Sequence, residues 1–188
     1  MKFKAAVLLG SKKPLLIEEL EFQPLKVGQV LVKLDSSGVC GAQINEIDAV
    51  KGKDKFLPHL LGHEGHGEVL ECGSGIRYVK PGDKVVLHWR KGIGIESETP
   101  KYLSKSLGSV NAGWVTTFNE YAVVSENRLT VVPAKIDQDY CALMGCALTT
   151  ALGTLTNDAK IKVGDSIAIF GCGGVGLSLI QFAKLSGC

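Results

Sequence analysis

Short runs of alternating apolar and polar residues occupy the first two-thirds of the chain. Glycine- and proline-containing turns separate these runs, which is the pattern typical of antiparallel strands. The runs cover residues 2–9, 15–22, 29–34, 67–72, 84–88, 120–124 and 129–132. Many short strands at this spacing predict a partly open β-barrel.

The last third of the chain has helical periodicity. Asp137 can cap a helix that ends near Gly145, and residues 146–159 predict a second helix. A short helix is also predicted at residues 41–50. The change of period indicates that the β-rich region is followed by a unit of a different type.

We therefore predict two units along the chain. A β-rich domain covers residues 1–153, and the beginning of an α/β unit covers residues 154–188. Residues 91–113 fit neither period and predict an irregular surface segment.

A glycine-rich loop, Gly171-Cys-Gly-Gly-Val-Gly176, lies in the α/β unit. It follows the strand-like residues 166–170 and precedes the helix-like residues 177–185, which is the context of a dinucleotide pyrophosphate site. In such a loop the first glycine permits a tight turn, the second lets the backbone approach the phosphates, and the third lets helix and strand pack closely. The N–H groups at the start of the helix favour the negative charge. The loop therefore predicts a nucleotide-dependent function.

Composition and charge exclude several kinds of partner. The chain has 188 residues, 45% of them hydrophobic, and a net charge of +2. It has no basic stripe that would indicate nucleic acid, and no apolar run long enough to span a membrane. Near the N-terminus only residues 5–9 are continuously apolar, too few for a signal peptide. We therefore expect a cytoplasmic protein with reduced cysteines and with neither a nucleic-acid nor a membrane partner.

Three residues in separate segments are candidates for binding a metal. Two thiolates, Cys40 and Cys146, and the imidazole of His63 match a catalytic zinc site, which uses three protein ligands and keeps one position open. A structural zinc more often has paired Cys-x-x-Cys spacing, which the chain lacks. Many cytosolic cysteines are simply packed in the core, so the spacing alone leaves both interpretations open.

The chain resembles the zinc-containing medium-chain alcohol dehydrogenases at these residues and at several others. The matching segments occur in the order of the family and extend over the whole chain. They are Gly38-Val-Cys-Gly41, Gly62-His-Glu64, Val79-Lys-Pro-Gly-Asp83, Leu143-Met-Gly-Cys146 and Gly171-Cys-Gly-Gly-Val-Gly176.

The resemblance implies a GroES-like barrel domain followed by a Rossmann domain. It implies one catalytic zinc bound by Cys40, His63 and Cys146, with Glu64 as an exchangeable ligand beside the metal. The implied activity is reversible oxidation of an alcohol to an aldehyde or ketone with NAD or NADP, in a homo-oligomeric parent enzyme. The implied cofactor-binding residues are Gly171, Gly173, Gly174, Val175, Gly176 and Thr150.

The chain departs from the family pattern at several positions. Ala42 and Asn45 stand where family members often carry the groups that pass the alcohol proton outward. Gln43 replaces the acidic residue that supports the zinc-binding histidine, and an amide can accept a hydrogen bond from an imidazole without supplying charge. Residues 91–113 contain no cysteine, so we expect no structural zinc.

The remaining candidates have local interpretations. Trp89 either lines the substrate pocket or packs on the barrel. The other histidines and two cysteines are interpreted as locally hydrogen-bonded or packed side chains: His59, His66, His88, Cys72 and Cys141.

Two other functions remain open. The first is a zinc-free quinone or enoyl reductase of the same fold, and the second is a non-catalytic zinc-binding GroES-like module. The acidic residue expected about 20 residues after the glycine loop is not in the chain, so NAD and NADP are not distinguished. We expect an N-terminal fragment with little activity by itself. Residues 118–122 and 145–150 resemble the glutathione-dependent formaldehyde branch of the family.

Overall fold

The structure is a computed structural model that describes residues 1–133 and 135–188. Its strands are β1 (Lys2–Leu8), β2 (Leu16–Glu21), β3 (Gln29–Ser37), β4 (His59–Leu60), β5 (Glu64–Cys72), β6 (Lys84–His88), β7 (Lys101–Ser104), β8 (Gly108–Asn111), β9 (Tyr121–Ser125) and β10 (Leu129–Val131). Its helices are α1 (Gly41–Ile47), α2 (Gln138–Met144), α3 (Ala147–Gly153) and α4 (Gly174–Leu185). A 3₁₀ turn covers Glu126–Arg128, and a π-helical segment covers Thr154–Ala159.

The strands form two sheets. One is a closed ring in the order β1-β2-β7-β8-β4, and the other is a five-stranded sheet in the order β10-β6-β5-β3-β9. The prediction of a partly open barrel is therefore corrected, because β4 closes the ring by pairing with both β1 and β8. With only two residues, β4 is too short to show an alternating pattern in the sequence.

Residues 91–113 contain a hairpin rather than a wholly irregular segment. Its strands β7 and β8 pair with each other, and β7 also pairs with β2. Tyr102 and Val110 point into the core of the ring and are buried. The prediction was wrong here because each strand has four residues, too few to show a period-two pattern among the polar residues around them.

Two apolar clusters hold the sheets together. Inside the ring, Phe3 stacks on Phe22 with 4.5 Å between ring centroids. The backbone N–H of Val123 donates to the buried Tyr102 hydroxyl at 2.9 Å. The second cluster packs the inner side chains of the five-stranded sheet, among them Val30, Val69 and Leu87. Each such side chain stabilises the fold by roughly 1.5–3 kcal/mol relative to exposure.

A buried carboxylate, that of Glu126, joins two loops to the 3₁₀ turn. Its two oxygens accept three backbone N–H groups, those of Arg77, Tyr78 and Ile95. Burial opposes the charge, but these hydrogen bonds outweigh it and hold the pKa of the Glu126 carboxyl below its usual value.

The predicted helices of the last third are present. The Asp137 side chain accepts the N–H of Asp139 at 2.9 Å and caps α2, which ends before Gly145. Helical structure then continues through α3 and the π-helical segment to Ala159. α2 packs against β5, and α3 packs against α4. Within the described ranges no helix has the length and apolarity needed to cross a bilayer.

The strand of the predicted β-α unit is not formed. Residues 166–170 belong to no sheet among the described residues, whereas the following helix is present as α4. A parallel strand exists through hydrogen bonds to its neighbours, and without them Phe170 is 97% exposed. The Rossmann unit and the division of the chain after residue 153 therefore stay predictions.

Candidate metal centre

Four potential metal ligands converge at one end of the five-stranded sheet. The ligand atoms of Cys40, His63, Glu64 and Cys146 all lie within 4.8 Å of one another. Cys40 immediately precedes α1, and Cys146 immediately precedes α3. His63 immediately precedes β5, of which Glu64 is the first residue. Residues far apart in the sequence are thus brought together by the ends of several elements.

Two glycines allow this close approach. A Cβ at Gly38 would lie 2.6 Å from the Glu64 carboxyl carbon, and one at Gly145 would lie 2.3 Å from the Leu87 carbonyl oxygen and 2.9 Å from Glu64 Cα. The backbone N–H of Gly38 also donates to the Glu64 carbonyl at 3.1 Å. The chain segments that carry Cys40 and Cys146 therefore run directly against the start of β5.

The His63 ring is oriented by Gln43. Its Nδ1 lies 2.6 Å from Gln43 Nε2, and its Nε2 is buried without a hydrogen-bond partner within residues 1–133 and 135–188. Burial lowers the pKa of His63, which favours the neutral imidazole that binds metals. Nε2 is therefore the ring nitrogen available to a cation.

The acidic groups of the cluster lie close together in a buried setting. Glu64 is 2% exposed, and burial raises the pKa of its carboxyl, while the Ala147 N–H opposes that effect. Burial raises the pKa of the Cys146 thiol, and the neighbouring Cys40 and Glu64 raise it further. None of the ion pairs found among the described residues involves Glu64.

This donor set fits zinc. Thiolate sulfur, imidazole nitrogen and carboxylate oxygen are the ligand types of zinc. A divalent cation among them would favour the charged forms that burial disfavours. The same cation would also be the partner that the buried Nε2 of His63 lacks.

Comparison with known proteins identifies the family. The sequence profile described as "Alcohol dehydrogenase GroES-like domain" matches residues 26–134. The chain belongs to this family. The β-rich fold agrees with it, and the predicted resemblance to the zinc-containing alcohol dehydrogenases is confirmed.

Curated relatives and solved structures extend this finding. An S-(hydroxymethyl)glutathione dehydrogenase of Photobacterium damsela subsp. piscicida is 34% identical over 98% of this chain, which covers 56% of the relative. The 2R,3R-butanediol dehydrogenase of Bacillus subtilis is 30% identical, with a TM-score of 0.76, and the match covers 98% of this chain and 55% of that protein. Benzyl alcohol dehydrogenase of Acinetobacter calcoaceticus has a TM-score of 0.84 at 24% identity over 100% and 56% of the two chains, and shows the same fold. The chain thus spans about half the length of the relatives it matches.

A cavity of about 350 Å³ adjoins the candidate metal centre of this GroES-like domain. His63 lines it together with Phe56 and Trp114, whereas Trp89 is not among its lining residues. The Arg90 guanidinium instead covers the Trp89 ring at 4.9 Å from the centroid. Sequence reasoning missed Trp114 because no local pattern marks a residue as part of a cavity wall.

The other polar residues singled out from the sequence lie outside the ligand cluster. His59 is hydrogen-bonded to the Leu60 carbonyl at 2.8 Å and to Asp54 at 2.7 Å. His88 contacts the Arg90 carbonyl and the Thr130 hydroxyl. Ala42 and Asn45 line a different cavity, of about 480 Å³.

The predicted cofactor residues fall into two groups. The Thr150 backbone N–H donates to the Cys146 carbonyl at 2.8 Å, which places Thr150 one helical turn after a candidate ligand. The glycine motif is outside the ligand cluster: Gly173 caps α4, and Gly174 and Val175 form the first turn of that helix. Gly171 has a φ of 98°, and a Cβ at Gly176 would lie 1.9 Å from the Gly171 carbonyl oxygen. Gly171 thus has the positive φ of a tight turn, and Gly176 leaves no room for a side chain beside it, whereas nucleotide binding by the loop stays a prediction.

Proposed function

We propose that the chain binds one zinc ion through Cys40, His63 and Cys146, with Glu64 as an exchangeable ligand. The observation that carries this proposal is the convergence of the four ligand atoms within 4.8 Å. A zinc ion in such a site acts as a Lewis acid toward an alcohol or carbonyl oxygen. We expect no structural zinc, since residues 91–113 contain no cysteine.

The proposed activity is hydride transfer between an alcohol and NAD or NADP by the complete protein. The cavity beside His63, of about 350 Å³, would admit a small alcohol or aldehyde. The N–H groups of the glycine loop would hold the pyrophosphate, with Thr150 and Val175 against the nicotinamide. The names of the relatives make a hydroxymethyl thiol adduct a candidate substrate.

The same proposal places the protein in the cytoplasm as a homo-oligomer. It includes neither a nucleic-acid nor a membrane partner. The small net charge of +2 supports the absence of a nucleic-acid partner, because binding to phosphate backbones requires a basic surface.

Metal analysis of the purified chain tests the zinc site. We expect one zinc per chain in the wild type and strongly reduced zinc in Cys40→Ser and Cys146→Ser. Cobalt substitution should give thiolate charge-transfer absorption that each of these variants weakens. Cys188→Ser is the matched control, because Cys188 is exposed and outside the ligand cluster.

Two outcomes would contradict the proposed site. A wild-type chain that holds no zinc after dialysis against a zinc buffer would favour the zinc-free reductase interpretation. Full zinc binding by Cys146→Ser would show that the metal lies elsewhere.

A non-catalytic zinc-binding module is the second candidate. Ala42 and Asn45 favour it, because neither side chain can pass a proton from an alcohol at neutral pH. Titration of the complete zinc-loaded protein with NADH and NADPH distinguishes the two. Binding of neither nucleotide, with zinc retained, would support the module.

A further inference from the structure

Gln43 connects two of the candidate ligands through opposite ends of one amide. The side chain is 2% exposed. Its Oε1 accepts the backbone N–H of Cys40 at 2.9 Å, and its Nε2 lies 2.6 Å from His63 Nδ1. Both polar atoms of the amide are therefore committed to residues of the metal centre.

This orientation of the amide has a consequence for His63. The Gln43 NH₂ group is a donor only, so Nδ1 must act as the acceptor. A neutral imidazole has a single N–H, which then lies on Nε2. Nε2 cannot bind a metal in that form, although it is the nitrogen left free in the cluster.

A metal on Nε2 requires the opposite arrangement. Nδ1 then carries the hydrogen and needs an acceptor. The amide can offer one only by turning Oε1 toward His63, which points its NH₂ group at the N–H of Cys40. The single oxygen of the Gln43 amide therefore cannot accept from both the Cys40 N–H and the His63 Nδ1–H, which face opposite ends of the amide. A carboxylate at this position has one oxygen for each donor.

We propose that Gln43 is a positioning residue whose amide turns over when a metal binds His63, at the expense of the hydrogen bond to Cys40. This inference depends on the proposed zinc site. When a metal binds His63, the Nδ1–H of His63 competes with the N–H of Cys40 for Oε1 of Gln43. The expected result is a site of lower zinc affinity than the same site with a carboxylate at residue 43.

Zinc dissociation constants, measured by competition with a chromogenic chelator, test the proposal. We expect Gln43→Glu to bind zinc about tenfold more tightly than the wild type, at the lower end of the effects known for groups that support metal ligands. Gln23→Glu is the matched control, because it adds the same charge at an exposed position outside the cluster and should not change the affinity.

The hydrogen-exchange rate of the Cys40 backbone amide provides a second test. If Gln43 only supported the fold, zinc would not change this rate. In zinc-loaded protein we expect this amide to exchange about tenfold faster in the wild type than in Gln43→Glu. In the wild type, the Cys40 amide should exchange faster with zinc than without it. This comparison needs no variant, so the test stays valid if Gln43→Glu does not fold.

The outcomes separate this inference from the proposed site. If the wild type binds zinc but Gln43→Glu binds no more tightly, or if the Cys40 amide stays equally protected with zinc, the role of Gln43 is refuted and the zinc site stands. If the wild type binds no zinc, the proposed site fails and this inference fails with it.

Discussion

Gly145→Ala is expected to disturb the candidate metal centre without changing any ligand. Gly145 has a φ of −66°, which any residue can adopt, so the reason for glycine is space. The new Cβ would lie 2.3 Å from the Leu87 carbonyl oxygen and 2.9 Å from Glu64 Cα. Both neighbours are backbone atoms of paired strands, which cannot rotate away.

The magnitude follows from these distances. The shorter contact is about 1.1 Å inside the 3.4 Å at which ordinary van der Waals contact begins. Relief requires the segment carrying Cys146 to move outward by about 1 Å, well beyond the ±0.2 Å tolerance of metal–ligand distances. We expect a stability loss of about 1–3 kcal/mol, as for other overpacked sites, and zinc affinity reduced about tenfold or more, equivalent to about 1.4 kcal/mol.

Thermal unfolding and chelator competition measure the two effects. At about 2–4 °C per kcal/mol for a chain of this size, Tm should fall by about 5 °C. Gly41→Ala is the matched control, since Gly41 is the residue next to Cys40 and a Cβ there would contact nothing within 4 Å. Alanine at this first position of α1 should leave zinc affinity unchanged and Tm equal or higher.

Wild-type Tm together with wild-type zinc affinity in Gly145→Ala would refute this reasoning. Loss of Tm with full zinc affinity would show that the clash is relieved by Leu87 rather than by movement of Cys146. An equal loss of zinc in Gly41→Ala would mean that the site is sensitive to any neighbouring substitution.

The remaining predictions concern buried polar groups. Glu126→Gln replaces one acceptor of the loop N–H groups by a donor and should lower the free energy of unfolding in urea by about 1–3 kcal/mol at pH 7. Because the pKa of Glu126 is lowered in the folded state, the difference should be full above its ordinary value of 4.5 and shrink as the pH falls below it; a constant difference down to pH 3 would contradict this. Tyr102→Phe leaves the N–H of Val123 without its partner and should lower the stability by about 1–3 kcal/mol, whereas an unchanged urea midpoint would show that this N–H has another acceptor.

The predicted strands succeeded where the apolar residues form a clear run and failed where glycine or brevity hides the pattern. β6 has the predicted bounds of residues 84–88 because its apolar run is compact. β5 begins three residues earlier than predicted, at Glu64, because Gly65 and Gly67 look like turn residues. A Cβ at Gly67 would lie 2.2 Å from the Lys33 carbonyl oxygen, so this glycine serves close strand contact instead.

The candidate site could be assembled from sequence only through the resemblance. Nothing in the spacing of Cys40, His63 and Cys146 indicates that they meet, since that depends on where β3 and α2 end and where β5 begins. Gln43 was identified by its position in the sequence. Its simultaneous hydrogen bonds to Cys40 and His63 could be found only from the structure. Trp114 could not be found, because cavity walls arise from long-range packing that carries no local pattern. Zinc binding itself stays a prediction.

Closure of the ring by β4 also limits how copies of the chain can associate. Strands paired on both sides present few unpaired N–H and C=O groups to another chain. In the five-stranded sheet of the described residues, the outer strands are β10 and β9, of three and five residues. Within the two sheets, the edges open to intermolecular strand pairing are therefore these short strands, and a charged substitution at the exposed Val131 would protect one of them.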